Sequence, residues 1–166
     1  MKKPIYKKLL QVGFVVKDAE AVATSFAEKY GIGPWDYYGP GMLSKITMYG
    51  KETDFDIRVA CAFIGDVEIE LIEPIDDKSI YAEQLREHGE GLHHLAFDTT
   101  NSHADTVQFF KENGIEVMMD ALFGGQEEVT YVDSRKDLAC ITEFYNRPEN
   151  VTYPEPTKVI KVPEEE

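Results

Sequence analysis

The sequence predicts an α+β protein made of two tandem βαβββ modules, and an internal repeat is the first observation behind this prediction. Residues 11–32 align with residues 94–115 without a gap, at an offset of 83 positions. The identical pairs fall where a structural role is evident: Phe14/Phe97, Ala21/Ala104, Phe26/Phe109, Gly31/Gly114 and Ile32/Ile115. The second observation is that three strand-like segments follow each copy of the repeat.

The first module, residues 7–75, begins with a strand of β-branched and apolar residues over positions 9–16. Asp18 is a good N-cap for the helix that follows, and Gly31 is placed to end that helix at its C′ position. The apolar side chains on one face of this helix recur every four residues: Val22, Phe26 and Tyr30. The remaining strands of the module are predicted over residues 44–49, 56–63 and 67–72.

The second module, residues 91–147, repeats the order of the first. Asn101 is the candidate N-cap of its helix, Val107 and Phe110 form the apolar face, and Gly114 ends the helix. The strands that follow are predicted over residues 115–119, 128–132 and 139–145.

Two segments lie outside the modules of this single domain, residues 1–166. Residues 76–90 link the modules, and residues 79–88 within this linker have helical propensity. Residues 148–166 contain four prolines and an acidic end, so we expect an extended tail that wraps the surface or is mobile.

Composition and charge exclude several classes of protein. The net charge of −14 repels the phosphates of nucleic acid, so a nucleic-acid partner is not expected. No apolar run is long enough to span a bilayer, and no signal-peptide pattern follows the Lys-rich start, which predicts a cytoplasmic protein. Cys61 and Cys140 lie in β-rich apolar runs, so buried free thiols are expected rather than a disulfide.

Four polar residues occupy equivalent positions in the two modules. Gln11 and His94 lie on the first strand of each module, and Glu70 and Glu143 lie on the last strand. If the modules pair about a pseudo-twofold axis, these side chains converge. One imidazole, two carboxylates and one amide oxygen suit a divalent ion such as Zn, Ni, Co, Mn or Fe(II). The ion would also offset the cost of burying two carboxylates together, which is several kcal/mol or more in order of magnitude.

Ordinary structural roles compete with these functional roles at several of the polar positions. Alternating glutamates on a strand more often mark a solvated face, and this interpretation is favoured for Glu68 and Glu73. Either histidine of the pair at 93–94 could be a hydrogen-bonded core residue. His88 and His103 are expected at the surface, beside a helix end and in a first helical turn respectively.

The segments that carry these residues resemble the metal-binding strands of glyoxalase I and methylmalonyl-CoA epimerase, members of the vicinal oxygen chelate superfamily. The resemblance covers about residues 7 to 146 and rests on four segments: residues 10–18, 70–74, 89–97 and 141–144. It implies a half-open, barrel-like mixed sheet around one metal ion, and a homodimer. It also implies that His94, not His93, is a ligand. The set Gln11, Glu70, His94 and Glu143 then matches the zinc glyoxalases.

The chemistry implied by the resemblance is proton transfer at a carbon next to a carbonyl group, in a metal-dependent lyase, isomerase or epimerase. Glu143 is the first choice for the catalytic base and Glu70 the second. The ring-cleaving dioxygenases of the superfamily need two histidines and one glutamate, so oxygen chemistry is a minor expectation. The expected partner is a small carbonyl compound.

The substrate is where the resemblance is weakest. Val15 and Pro74 stand where glyoxalase I has an Arg and an Asn that hold glutathione, and Arg58 stands where the epimerase has a second catalytic Glu. The loop over residues 31–42 could instead form a pocket for a hydrophobic or aromatic substrate, and its candidate lining residues, with Arg58, are Trp35, Tyr37, Tyr38 and Met42.

Alternatives remain open at this stage. Trp35 could simply fill the junction between helix and sheet. The protein could also be a true lactoylglutathione lyase, a methylmalonyl-CoA epimerase, or a metal-free binding protein of the bleomycin-resistance type. The sequence does not specify which metal binds, or whether the site closes within one chain or across a dimer.

Overall fold

Strands dominate the computed structural model, which describes residues 5–164. Its helices are α1 (Ala19–Tyr30), α2 (Ile80–Glu87), α3 (His103–Glu112) and α4 (Arg135–Leu138). Its strands are β1 (Tyr6–Val15), β2 (Trp35–Tyr38), β3 (Leu43–Met48), β4 (Lys51–Glu52), β5 (Ile57–Ile64), β6 (Val67–Pro74), β7 (Gly91–Thr99), β8 (Val117–Phe123), β9 (Glu127–Val132), β10 (Ile141–Asn146) and β11 (Lys158–Ile160). The predicted α+β class is confirmed.

Backbone contacts divide the described residues into two compact units. The Gln11 unit contains Gln11–Met42, Phe55–His93 and residues 154–164, and its strand order is β11-β2-β5-β6-β1. The His94 unit contains residues 5–10, Leu43–Asp54 and His94–Tyr153, and its strand order is β7-β10-β9-β8-β3-β4. Each sheet is mixed and open, because β1 runs parallel to β6 and β7 runs parallel to β10 while the other pairs are antiparallel.

In the Gln11 unit, helix α1 covers one face of the sheet. Asp18 caps the helix as predicted, since its Oδ1 accepts a hydrogen bond from the Ala21 amide at 2.8 Å. Gly31 ends it with a left-handed φ of +66°. The buried helix face consists of small residues, Ala19, Ala23 and Ala27, which let the helix lie close to the sheet. The expectation for Tyr30 was wrong: it is 70% exposed at the last turn.

In the His94 unit, helix α3 packs through Phe110 against Val132 and Phe144 of the sheet. The N-cap is Ser102 and not Asn101, which corrects the prediction by one residue. The Ser102 hydroxyl accepts from the Asp105 amide and donates to the Asp105 carboxylate, a reciprocal arrangement that Asn101 is one residue too early to make.

Four short elements were not predicted from the sequence: the strands β2, β4 and β11 and the helix α4. Strand β11 pairs antiparallel with β2, so Ile160 lies opposite Trp35 and is buried. The tail therefore wraps the surface here, the first of the two expectations for it. Strand β3 formed where predicted, and its partner is β8 of the His94 unit. Within residues 5–164 no helix has the length and apolar character needed to cross a membrane.

Candidate functional site

His94 and Glu143 form a buried pair in the His94 unit. Strand β7 lies beside β10 in parallel register, with His94 opposite Ile141, so Glu143 projects from the same face as His94. The His94 Nε2 and Glu143 Oε2 atoms are 3.0 Å apart, and the two residues are 0% and 2% exposed. A buried carboxylate needs such a partner, because leaving it unpaired away from water is costly.

Two tyrosines complete the surroundings of this pair. The Tyr145 hydroxyl donates a hydrogen bond to Glu143 Oε2 at 3.1 Å. The Tyr131 ring meets the His94 imidazole edge-on, with centroids 5.3 Å apart and an interplanar angle of 87°. Tyr131 lies opposite Glu143 in the β9–β10 pairing, so the register of the sheet places all these groups on one face.

Arg147, which was not among the predicted site residues, follows directly after β10 and is surrounded by one carboxylate and two tyrosines. Arg147 Nε donates to the Glu127 carboxylate, which is only 3% exposed and also accepts from the Tyr153 hydroxyl at 2.8 Å. The Arg147 guanidinium carbon lies 5.2 Å from the ring centroid of Tyr145 and 6.0 Å from that of Tyr153. Although burial opposes it, the hydrogen bond and the charge of Glu127 raise the pKa of Arg147.

The Gln11 unit reproduces the register of the His94 unit. Glu70 lies opposite Gly13, two residues after Gln11, just as Glu143 lies opposite Ala96, two residues after His94. Gln11 and Glu70 therefore share one face of their sheet, away from α1, and both are buried. The repeat seen in the sequence thus extends to the pairing of the strands that carry the predicted ligands.

Glu68 also lies on the face that bears Gln11, which corrects the solvated-face interpretation. It is opposite Gln11 in the register, it is half-buried, and its Oε1 accepts a hydrogen bond from Gln11 Nε2. Only the amide nitrogen can donate to a carboxylate, so this contact fixes the orientation of the Gln11 amide. The amide oxygen of Gln11, its own Oε1, is then the atom that would bind a metal ion. Alternation along β6 was the signal that could have found it, since residues 68 and 70 point the same way.

The carboxylates on the sheet face that bears Gln11 and Glu70 help to raise the pKa values of neighbouring groups. Burial raises the pKa of the Cys61 thiol well above its usual value, and the carboxylates of Glu68 and Glu70 add to the effect. Burial raises the pKa of Tyr38 to about 12, helped by the charges of Asp36 and other acidic groups. Both groups are therefore neutral at physiological pH. Cys61 and Cys140 are free, as predicted.

The predicted pocket residues do not form one group. Trp35 is fully buried in the α1-side core, and its Nε1 donates to the Ile32 carbonyl at 2.7 Å, which favours the packing role over a pocket role. Tyr37 packs against the same core, whereas Tyr38, one residue later, projects from the opposite face. Met42 is buried.

Arg58 lies on the α1 side of the sheet, because its partner in the register is Glu73 and not Glu70. Arg58 and Glu73 form an ion pair, and Glu73 Oε2 also accepts from the Ala19 amide at the start of α1. Glu73 is consequently not a solvated residue, contrary to expectation. The contact anchors the helix to the strand.

The remaining histidines fall into three environments. His93 is buried, and its ring centroid is 4.8 Å from that of Tyr81, which fits the side-chain direction opposite to His94. His88 is exposed, as expected. His103 is half-buried, which corrects the surface expectation: its Nε2 is 2.9 Å from Thr130 Oγ1, and its ring packs on Phe144.

The separation of His94 and Glu143 suits two ligands of one divalent ion. Two ligands about 2.1 Å from one ion and at right angles to each other are roughly 3 Å apart, which is the separation of His94 Nε2 and Glu143 Oε2. Among residues 5–164, no three His, Cys, Asp or Glu side chains lie close enough together to hold a metal ion. Each unit thus supplies a pair of candidate ligands.

The chain belongs to the Glyoxalase/Bleomycin resistance protein/Dioxygenase superfamily, whose family model matches residues 10–132. Solved structures share the fold. A methylmalonyl-CoA epimerase from Mycobacterium tuberculosis is 15% identical with a TM-score of 0.67, covering 89% of this chain and 93% of that one. A Streptomyces coelicolor methylmalonyl-CoA epimerase in complex with 2-nitronate-propionyl-CoA is 20% identical with a TM-score of 0.61, covering 86% and 98%.

Curated relatives match a shorter stretch. A 4-hydroxyphenylpyruvate dioxygenase from Pseudomonas aeruginosa is 39% identical over 70 residues, which is 42% of this chain and 19% of the dioxygenase. Hemolysin VllY from Vibrio vulnificus is similar to the same extent, 39% over 70 residues. The match spans only about a fifth of these relatives, so their activities do not transfer directly.

Proposed function

We propose that the protein is a metal-dependent lyase, isomerase or epimerase that moves a proton at a carbon next to a carbonyl group. The observation that carries the proposal is the buried His94–Glu143 pair, with Tyr145 donating to the same carboxylate. A carboxylate held this way beside an imidazole is suited to accept a proton from carbon and to return it. Membership of the superfamily supports an enzymatic role.

One divalent ion would be held by Gln11, Glu70, His94 and Glu143. When bound, it supplies positive charge that stabilises the enolate or enediolate of the substrate. Glu143 takes the proton from the α-carbon and gives it back at the same or the neighbouring carbon, so the number of protons is unchanged. Tyr145 keeps the Glu143 carboxylate oriented between these two steps.

Glu70 is the proposed second base. It lies at the position in the Gln11 unit that is equivalent to that of Glu143 in the His94 unit, and two bases acting on one substrate would permit epimerisation. Arg58 does not take part in our proposal, because it projects from the other face of the sheet and is paired with Glu73.

The substrate is proposed to be a hydrophobic or aromatic carbonyl compound and not glutathione. Val15, at the position of a glutathione contact in glyoxalase I, is fully buried and has no side-chain hydrogen-bonding group. Pro74, at the position of the second contact, lacks a side-chain donor as well. Each missing contact to a charged group costs about 1.5 to 3 kcal/mol. We also propose that the protein is a homodimer, which size-exclusion chromatography with light scattering would test. We further propose a cytoplasmic location, which cell fractionation would test.

The proposal is tested by exchange of the α-proton in D2O. Protein loaded in turn with Zn, Ni, Co and Mn is incubated with methylmalonyl-CoA, with the hemithioacetal of methylglyoxal and glutathione, and with aromatic α-substituted ketones. We expect exchange for at least one ketone, at least a hundredfold slower exchange for Glu143→Gln, and no change for the exposed Glu116→Gln. Absence of exchange with every compound, or full activity of Glu143→Gln, would contradict the proposal.

A second candidate is an iron-dependent oxygenase acting on a 2-oxo acid. The observation that favours it is the 39% identity over 70 residues to the 4-hydroxyphenylpyruvate dioxygenase. Gln11 in place of a second histidine ligand opposes it, because such iron sites use two histidines and one carboxylate. Oxygen uptake by the Fe(II)-loaded protein with 4-hydroxyphenylpyruvate would establish it, and proton exchange without oxygen uptake would exclude it.

A third candidate, a metal-free binding protein of the bleomycin-resistance type, keeps the fold without the chemistry. It predicts that ligand binding survives removal of the metal and that Glu143→Gln leaves binding unchanged. The enzyme hypothesis predicts loss of activity in both cases.

A further inference from the structure

Arg147 is bound by the protein on the Nε side of its guanidinium. Its Nε is bound by the buried Glu127 carboxylate, and its guanidinium lies over two tyrosine rings, at 5.2 Å and 6.0 Å. Among residues 5–164, its terminal Nη atoms make no hydrogen bond or ion pair, and half of the side chain (51%) is exposed. A guanidinium oriented on one side in this way is pre-organised to bind an anion on the other.

Arg147 is connected to the proposed base, Glu143, through Tyr145. Glu143 and Tyr145 alternate along β10, so their side chains leave the same face of the sheet, and Arg147 follows directly after the end of this strand. The Tyr145 hydroxyl contacts Glu143, and the Tyr145 ring lies beneath the Arg147 guanidinium. One tyrosine side chain therefore spans the distance from the base to the cation.

The negative charge of the protein makes a local cation important for binding an anionic substrate. With a net charge of −14, the protein repels anions in general, and an anionic substrate needs a local cation to be captured. Arginine binds carboxylates through two parallel N–H bonds, and flanking aromatic rings exclude water from that contact. A doubly charged phosphate would meet stronger repulsion from the same field.

We propose that Arg147 binds a carboxylate of the substrate at a point remote from the reacting carbon. The inference rests on the proposed function and narrows the substrate to an α-substituted or aromatic ketone that also carries a carboxylate group. Tyr145 then orients the base at one end and supports the anion-binding guanidinium at the other.

Two probes of nearly equal size, one charged and one neutral, test this inference: 4-oxo-4-phenylbutanoate and its primary amide. We expect the wild-type protein to exchange the α-protons of the acid at least tenfold more efficiently than those of the amide, measured as kcat/KM. Arg147→Gln should lower kcat/KM for the acid by about 10- to 100-fold, mainly through KM, because a charged hydrogen bond is lost. The amide should be unaffected. Arg135→Gln, in the same unit, should change neither value.

Loss of Arg147 leaves the buried Glu127 without its cation, so a second variant removes that charge as well. The double variant Glu127→Gln/Arg147→Gln should show the same loss of preference for the acid and unfold at a temperature close to wild type. Equal activity of wild type on acid and amide, or an equal loss on both in the variants, would overturn the role of Arg147.

A binding measurement separates this inference from the proposed function. Saturation-transfer NMR reports binding of the acid and the amide without turnover. If no compound exchanges its α-protons but the wild type binds the acid and Arg147→Gln does not, the proposed reaction fails while the carboxylate site stands. If exchange occurs but Arg147→Gln binds both probes as the wild type does, the carboxylate site fails alone.

Discussion

The hydrogen bond from Gln11 to Glu68 leads to a test at the scale of one residue. Because this bond orients the amide of a proposed ligand, Glu68→Ala should weaken metal binding by about 10- to 100-fold, as the loss of an outer-shell partner does elsewhere. Glu68→Gln can still accept the bond and should retain most of the affinity. Competition with a chromophoric chelator measures the Kd, with the exposed Glu28→Ala as control. Equal affinity of wild type and Glu68→Ala would mean that Glu68 does not position Gln11.

The raised pKa of Tyr38 gives a prediction for alkaline pH. Burial, together with nearby acidic groups, holds the folded-state pKa at about 12 against an unfolded value of 10.0. Between these two values the unfolded chain releases the proton first, so the contribution of Tyr38 to stability is intact below pH 10 and is lost as the pH rises toward 12. Thermal unfolding from pH 9 to 12 should show a shallower loss of Tm for Tyr38→Phe than for wild type. Parallel curves would show that Tyr38 does not titrate differently in the two states.

At the residue scale, the sequence placed the proposed ligands at equivalent positions of the two modules but did not predict their surroundings. Equivalence at an offset of 83 pointed to Gln11 and His94, and the matching register confirms that they are placed alike within their own units. Arg147 could not be found in this way. Its partner Glu127 lies on another strand and Tyr153 lies in the tail, so the cluster exists only once those segments fold together.

At the scale of one element, strand β11 offers a matched pair of substitutions. Ile160 is 7% exposed and packs in the core beneath α1, while its neighbour Val159 is 45% exposed. Ile160→Ala should lower the free energy of unfolding by about 2 to 5 kcal/mol. Val159→Ala should change it by less than about 0.5 kcal/mol. Urea denaturation measures both, and similar effects would show that β11 does not anchor the tail.

The three longer helices and the long strands were predicted more reliably than the short elements. The caps of α1 and the linker helix α2 follow from local chemistry, since Asp18 and Ser79 each accept a hydrogen bond from an amide of the first turn. Strands β2 and β11 have only four and three residues and lie in segments rich in Gly and Pro. Their stability comes from pairing with each other across 121 to 125 residues of sequence, which no local pattern reveals.

At the scale of the whole molecule, bound metal should stabilise the fold. A ligand at a hundred times its Kd that binds only the folded state adds about 2.7 kcal/mol. For a chain of this size that corresponds to a rise in Tm of roughly 5 to 10 °C. Differential scanning calorimetry with and without a chelator tests this expectation. An unchanged Tm at saturating Zn, Ni, Co and Mn would indicate that none of these ions binds the native state.

Metal content is the most direct test of the central claim, that Gln11, Glu70, His94 and Glu143 hold one divalent ion. Protein purified without a chelator is analysed by inductively coupled plasma mass spectrometry, beside Glu143→Ala and the exposed control Glu116→Ala. We predict about one divalent ion per chain for wild type and for the control, and a small fraction of that for Glu143→Ala. A wild-type protein without divalent metal, or a Glu143→Ala variant that retains it in full, would contradict the claim.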